Sequence, residues 1–185
     1  NPLIPGDIDN SSIPIAIIDF ELTNTSEKEV TFTVCGSMQN FIGEDGSQGY
    51  AQENKNHFKE NPGLKGIYFT TEGVDQDAEQ WGNMALISTS EGNISYRTNW
   101  LPVRWGTSIL DFWDDISADG KLEERKIGSS ENTRVSLARE KTIVPPDKPM
   151  ASLAISNTLS PKSSKTVRFL ITWYYPNRKA WSTMV

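Results

Sequence analysis

The feature that most constrains this chain is a recurring short run of β-branched and aromatic residues, closed on each side by Gly, Pro, Asn or Ser. "SIPIAIIDFELTN" (12–24) is dense in isoleucine and ends in the polar turn "TNTSEKE". "EVTFTVCGSMQN" (29–40) then alternates, with Val30, Phe32 and Val34 on one face and Thr31, Thr33 and Cys35 on the other. Side chains along a strand alternate between faces, so a period of two reads as a half-buried strand. The two runs predict an antiparallel pair, and the first, apolar on both faces at its centre, predicts an inner strand. "KGIYFTT" (65–71), "GNMALIST" (82–89) and "GNISYRTNW" (92–100) continue the rhythm after a Gly- and Asn-rich stretch from Phe41 to Leu64 that reads as a long surface loop. "TRVSLAREKTIV" (133–144), "MASLAISNTL" (150–159) and "SKTVRFLITWYY" (164–175) restore it beyond a stiff "PPDKP" connector.

One segment breaks the pattern. In "GTSILDFWDDISADGKLEE", Ile109, Phe112, Trp113 and Ile116 fall at i, i+3, i+4 and i+7, one face of a helix. Thr107 or Ser108 can cap it, Asp111 suits its first turn, and Gly120 ends it. The expected fold is all-β: a two-sheet antiparallel β-sandwich, supersandwich-like, of eight or nine strands with one short helix inserted near 108–118.

Chemistry-bearing residues are few. The net charge of −6 opposes nucleic acid binding, which needs a Lys/Arg stripe. No apolar run reaches bilayer length. The single cysteine, Cys35, excludes an internal disulfide and reads as a half-buried filler. His57 is the one histidine, so metal-ligand spacing and a Ser–His–Asp triad are both unsupported. "GEDGSQG" lacks the ligand alternation of a calcium loop, and no Gly-rich phosphate cradle precedes the helix, so no cofactor is expected. Asp114–Asp115, Glu44–Asp45, Asp19 and Glu21 are carboxylates of the type a glycosidase pairs. Asp114 and Asp115 diverge on the helix and read as its polar face, while Asp19 and Glu21 fit a sheet edge or a contact with another domain. None is assigned a catalytic role.

Among the six tryptophans, Trp113 and Trp173 occupy periodic positions that read as core. Trp81, Trp100 and Trp105 stand at loops, where flat aromatic faces can stack on sugar rings. Asn10, Asn24 and Asn93 open Asn-x-Ser/Thr triplets, which matter only in a eukaryotic secretory setting. No signal peptide is present in the chain, and a cytoplasmic and a bacterial periplasmic setting both stay open.

Three segments carry a family resemblance. Residues 1–43 hold Pro2, Ile4, Pro5, Ser11, Ser12, Pro14, Asn24, Gln39, Asn40 and Gly43. "FWDDISADGKLEE" holds Trp113, Ile116, Asp119, Gly120 and Leu122, and "FLITWYYPNR" closes the series. In this order they resemble the N-terminal domain of glycoside hydrolase family 116; the region from about 44 to 105 contributes little to the resemblance. The resemblance implies a β-sandwich preceding a large (α/α)6 catalytic domain in a retaining β-glucosidase of the glucosylceramidase-like kind. The catalytic Glu and Asp lie in that second domain, and no residue here matches them.

On this basis residues 1–185 are expected to form a single sandwich domain, truncated at the N-terminus and lacking the catalytic domain that would follow. Its role would be to support the barrel and shape the rim of its cleft. The expected partners are that barrel and, through it, a β-glucoside. Trp173, Tyr175, Arg178 and Trp181 would form the interdomain seam. A self-contained carbohydrate-binding module using Trp81, Trp100 and Trp105 is the alternative, and an adhesion-type sandwich binding protein through sheet edges is a third.

Overall fold

The computed structural model describes residues 4–46, 48–102, 107–125 and 148–179. Its elements are α1 (Ile8–Ser11), β1 (Ile15–Thr23), β2 (Val30–Gln39), β3 (Asn54–Asn61), β4 (Leu64–Thr71), β5 (Asn83–Ser88), β6 (Asn93–Arg97), α2 (Thr107–Asp119), β7 (Met150–Leu159) and β8 (Ser164–Tyr174). The strands form a five-stranded sheet, ordered β1-β8-β5-β4-β3, and a three-stranded sheet, ordered β2-β7-β6. Every pairing is antiparallel. This is the expected two-sheet sandwich. The segment at 133–144 lies outside the described residues.

The core lies between the sheets, where alternation places Val167 and Phe169 of β8 against Leu86, Ile67, Phe69, Leu153 and Ile155. Gly36 of β2 permits close approach, since a Cβ there would already touch the Phe169 ring at 3.4 Å. Phe58 of β3 stacks on Tyr96 of β6 at 3.9 Å between centroids, tying one end of the two sheets together. The three-stranded sheet is covered on its other face too. There α2 sets Phe112 and Ile116, with Leu122 beyond it, against Cys35, Ala154 and Trp100. Gly120, at φ +77°, ends the helix as expected, its N–H donating to Ile116 O.

Several expectations are corrected. β1 and β2 do not pair: β1 pairs with β8 and β2 with β7, in different sheets. β1 is an edge strand rather than an inner one. Its core-side residues Ile18 and Phe20 remain 39% and 45% exposed, because the narrower sheet places no strand opposite them among the described residues. The supposed long loop contains β3, a polar edge strand whose Lys55, His57 and Lys59 face outward while Asn54, Asn56 and Phe58 face in. That mix hides the apolar alternation on which strand recognition depends.

The helix is turned differently from its apolar period. Phe112 and Ile116 pack inward, but Trp113 is 58% exposed and Ile109 49%. Asp111 and Asp115, one turn apart, point at Arg97 and Arg125 instead of capping or solvating the helix. Ser108 spends its hydroxyl on Leu101 O at 2.7 Å rather than on a cap. Trp173, expected in the core, is 41% exposed at the end of β8.

Candidate functional site at the end of the last strand

β8 leaves its sheet in the sequence Trp173-Tyr174-Tyr175-Pro176-Asn177-Arg178. Pro176 cannot donate to a ladder, so pairing stops there. Asn177 then anchors the turn, its Nδ2 donating to Gln76 O (2.5 Å) and Ala78 O (3.1 Å). Trp173 N–H donates to Pro14 O (3.2 Å), bringing the entry to β1 alongside. Pro14, Trp173, Tyr174, Tyr175, Pro176 and Arg178 line a cleft of about 430 Å³. The position before β5 must be glycine: a Cβ on Gly82 would stand 2.3 Å from Tyr174 O and 2.5 Å from Tyr175 Cδ1.

The Tyr175 hydroxyl is buried and has no hydrogen-bond partner among the described residues. Burial pushes its pKa up to about 12 against the opposing pull of the Arg178 charge, so the phenol stays neutral at physiological pH. Arg178 is half exposed, its Nη1 3.9 Å from Asp45 Oδ2. Asp45 also accepts from Gln80 Nε2 (3.2 Å) and Gln48 N (2.5 Å), and Lys148 pairs with Glu44. A second, polar cleft of about 410 Å³ opens among Glu44, Gly46, Gln48, Gly49 and Tyr50. Residues 177–178, 45 and 48, and the 76–80 segment therefore interlock.

An asparagine cluster supports this end. Asn40, with no exposed surface, donates from Nδ2 to Thr70 O (2.9 Å) and Asn56 Oδ1 (3.0 Å), and its Oδ1 accepts from Ile42 N (3.2 Å). Asn54 reaches Ile42 O (2.9 Å), and Asn56 reaches Thr98 O (2.8 Å). Gly43, at φ +98°, lets the chain pass 2.3 Å from where its Cβ would meet Tyr50 O. Asn40 and Gly43 thus form a scaffold for the loop.

Trp173, Tyr175 and Arg178 come together at the cleft; Trp181 lies outside the described residues. Of the tryptophans named for sugar stacking, the two described ones stand beside different sheets. Trp81 is half-buried, directly before β5 of the larger sheet, with its N–H bonded to Ala78 O (3.1 Å). Trp100 follows β6 of the smaller sheet, stacks on Phe112 at 4.5 Å and donates its indole N–H to Ser152 Oγ at 2.7 Å. Trp105 lies outside the described residues.

The carboxylates are largely engaged. Asp19 makes a bidentate pair with Arg168, both contacts at 2.7 Å. Asp115 is held by Arg97 and Arg125, whereas Asp114 and Glu21 are exposed. His57 projects from edge strand β3 opposite Tyr68. Among the described residues no group of three or more His, Cys, Asp or Glu side chains could hold a metal ion, and no helix is long and apolar enough to cross a membrane. The Arg97–Asp111–Asp115–Arg125 cluster was not expected. Its one visible signal is the i, i+4 spacing of Asp111 and Asp115, since nothing local in the sequence brings two arginines to that face.

What this end offers chemically is an aromatic cleft with a cation at one lip and carboxylates nearby, suited to contact rather than to proton transfer. A family model described as "beta-glucosidase 2, glycosyl-hydrolase family 116 N-term" matches residues 1–184. No curated protein matches the chain.

Proposed function

The chain belongs to the family of N-terminal domains of glycosyl-hydrolase family 116, and from that premise we propose that it is the non-catalytic sandwich portion of a retaining β-glucosidase of the glucosylceramidase-like kind. It buttresses an (α/α)6 catalytic domain of the same polypeptide and shapes the rim of its cleft. The observation that carries this reading is the match of an N-terminal family model to residues 1–184.

The chemistry of the residues supports it. A retaining glycosidase needs two carboxyl groups about 5 Å apart, one protonated and one free to attack. Here the half-buried Asp111 and Asp115 are paired with Arg97 and Arg125, and Asp19 with Arg168. The Trp173–Arg178 end supplies what a domain seam needs: exposed aromatic surface, a neutral buried phenol and a cation.

The test uses the polypeptide that carries both domains. Substituting Glu21→Gln, Glu44→Gln, Asp45→Asn and Asp114→Asn one at a time is expected to leave kcat on an aryl β-glucoside within about threefold, because no transition-state contact is lost. The Trp173→Ala/Arg178→Ala double variant is expected to split a single thermal unfolding transition into two. A thousandfold fall in kcat at any one carboxylate would overturn the proposal.

A further inference from the structure

The two sheets differ in what covers their outer faces. On the three-stranded sheet, α2 and Leu122 occupy the outer side. On the five-stranded sheet, no helix among the described residues packs against the outer side.

The pairing register shows what that bare face carries. One row across the sheet runs Ile15–Thr172–Ala85–Tyr68–His57. The next runs Ile17–Leu170–Ile87–Gly66–Lys59. The β1, β8 and β5 portion of both rows is apolar apart from the Thr172 hydroxyl; Ile17 is 58% exposed, Ile15, Thr172, Leu170 and Ile87 are half-buried, and Ala85 is buried between its neighbours. Tyr174, one row further toward the chain exit, is 55% exposed on the same side. The other border is polar: Asp19 pairs with Arg168 in the row beyond Ile17, and Lys59 lies 4.0 Å over the Tyr68 ring. A solvent-facing antiparallel sheet ordinarily alternates apolar-in with polar-out. β8 departs from that rule in its Leu170–Tyr174 half, which leads directly into the aromatic cleft.

We infer that this outer face, centred on Ile17, Leu170 and Ile87, is the surface on which the catalytic domain of the same polypeptide docks. The inference rests on the function proposed above. The occupant follows from continuity: β8 crosses the patch and carries the chain to the seam at the patch's own border, so a domain tethered there meets the face at high effective concentration. The complementary surface is apolar opposite β1, β8 and β5, and carries carboxylates opposite Lys59 on the β3 side.

The experiment places Ile17→Cys, and separately Thr172→Cys, in the polypeptide carrying both domains. Maleimide modification is followed by peptide-resolved mass spectrometry, native against denatured, which separates the new thiol from Cys35. Coverage is expected to slow labelling of both positions at least tenfold relative to the denatured chain. Slowing of less than tenfold at either position overturns the docking face. If that occurs while the single unfolding transition persists and splits with Trp173→Ala/Arg178→Ala, the face is wrong and the scaffold reading stands. A collapse of kcat at Glu44→Gln or Asp45→Asn removes the scaffold reading and the inference with it.

Discussion

Arg97 Nη1 lies 2.6 Å from Asp111 Oδ2, joining the end of β6 to the middle of α2 with the guanidinium wholly buried. Its Nη2 is 2.7 Å from Asp115 Oδ2, and its Nε donates to Glu123 O at 2.9 Å. Arg125 closes the other side, 3.1 Å from Asp111 and 3.3 Å from Asp115. The two carboxylates and two guanidiniums match in formal charge, and Glu123 reaches Arg125 at 3.4 Å from the exposed side. The cluster fixes how α2 lies on the smaller sheet, and so which helix residues remain outside.

Removing Arg97 leaves Asp111 and Asp115 to share Arg125 alone, with one carboxylate charge in the cluster uncompensated. Breaking a buried pair this way costs about 3–5 kcal/mol. Arg97→Met is therefore expected to lower the unfolding midpoint of this domain by roughly 10 °C, taking about 2–4 °C per kcal/mol for a domain of this size. Differential scanning calorimetry checks it. A shift below 2 °C would mean that α2 is held by Phe112 and Ile116 alone.

Asn40 should be similarly intolerant for a different reason. Asn40→Ala strands Ile42 N–H and deprives Thr70 O and Asn56 Oδ1 of a donor where Asn40 itself has no exposed surface. Unsatisfied buried polar groups cost about 1–3 kcal/mol each. A loss of at least 3 kcal/mol is expected in urea unfolding, with faster amide exchange at Ile42 as the local signature. Exchange at Ile42 unchanged from the parent would show that the asparagine is dispensable.

These two sites mark where the sequence is legible and where it is not. The strands β4 to β8 follow from periodicity, because each buries a face the pattern exposes; the helix's place in the chain follows too, but only Phe112 and Ile116 of its apolar face turn inward. β3 does not, because its inward positions are Asn54 and Asn56, whose partners are distant carbonyls rather than apolar neighbours. The placing of β1 at an edge depends on how many strands face it, which no local pattern records. Asp19 and Glu21 were the local clue to that edge, and Asp19 does pair across to Arg168 there. Trp173, Tyr175 and Arg178 line one cleft. The role of Gly82 beneath them depends on the β5–β8 register, which the sequence does not print.

Cys35 offers a chemical readout of the helix–sheet layer. Burial against α2 raises its thiol from an ordinary value of 9.0 to about 11, outweighing the opposing hydrogen bonds of Ser37 and Ser152 and the Arg97 charge. The thiolate is the reactive form, so a two-unit rise leaves about one hundredth as much of it near pH 8. Iodoacetamide is expected to alkylate Cys35 about 100-fold more slowly in the folded domain than in urea. Linkage runs the same way: a folded pKa raised above the unfolded one makes stability fall as pH climbs from 9 toward 11, since only the unfolded thiol ionises there. Equal alkylation rates in both states would mean that α2 does not cover the thiol.

The Asp19–Arg168 pair on the outer sheet face tests the opposite regime. Its hydrogen bonds from Arg168 outweigh an opposing desolvation effect and, with the guanidinium charge adding to them, hold the Asp19 carboxyl below its ordinary 3.8. A depressed folded pKa means that the contribution is present above the unfolded value and disappears as pH falls through the folded one, so the window lies below pH 3.8. Both side chains are more than 40% exposed, so salt should screen the pair as it cannot screen Arg97 and Asp111. In a carbon-detected NMR titration, Asp19 is expected to move back toward 3.8 in 1 M salt and in Arg168→Ala. In the two-domain polypeptide, docking over the neighbouring Ile17 and Leu170 should shield the pair from salt, so the low-salt value is retained. A salt response equal in the two forms would place the docked surface away from this row.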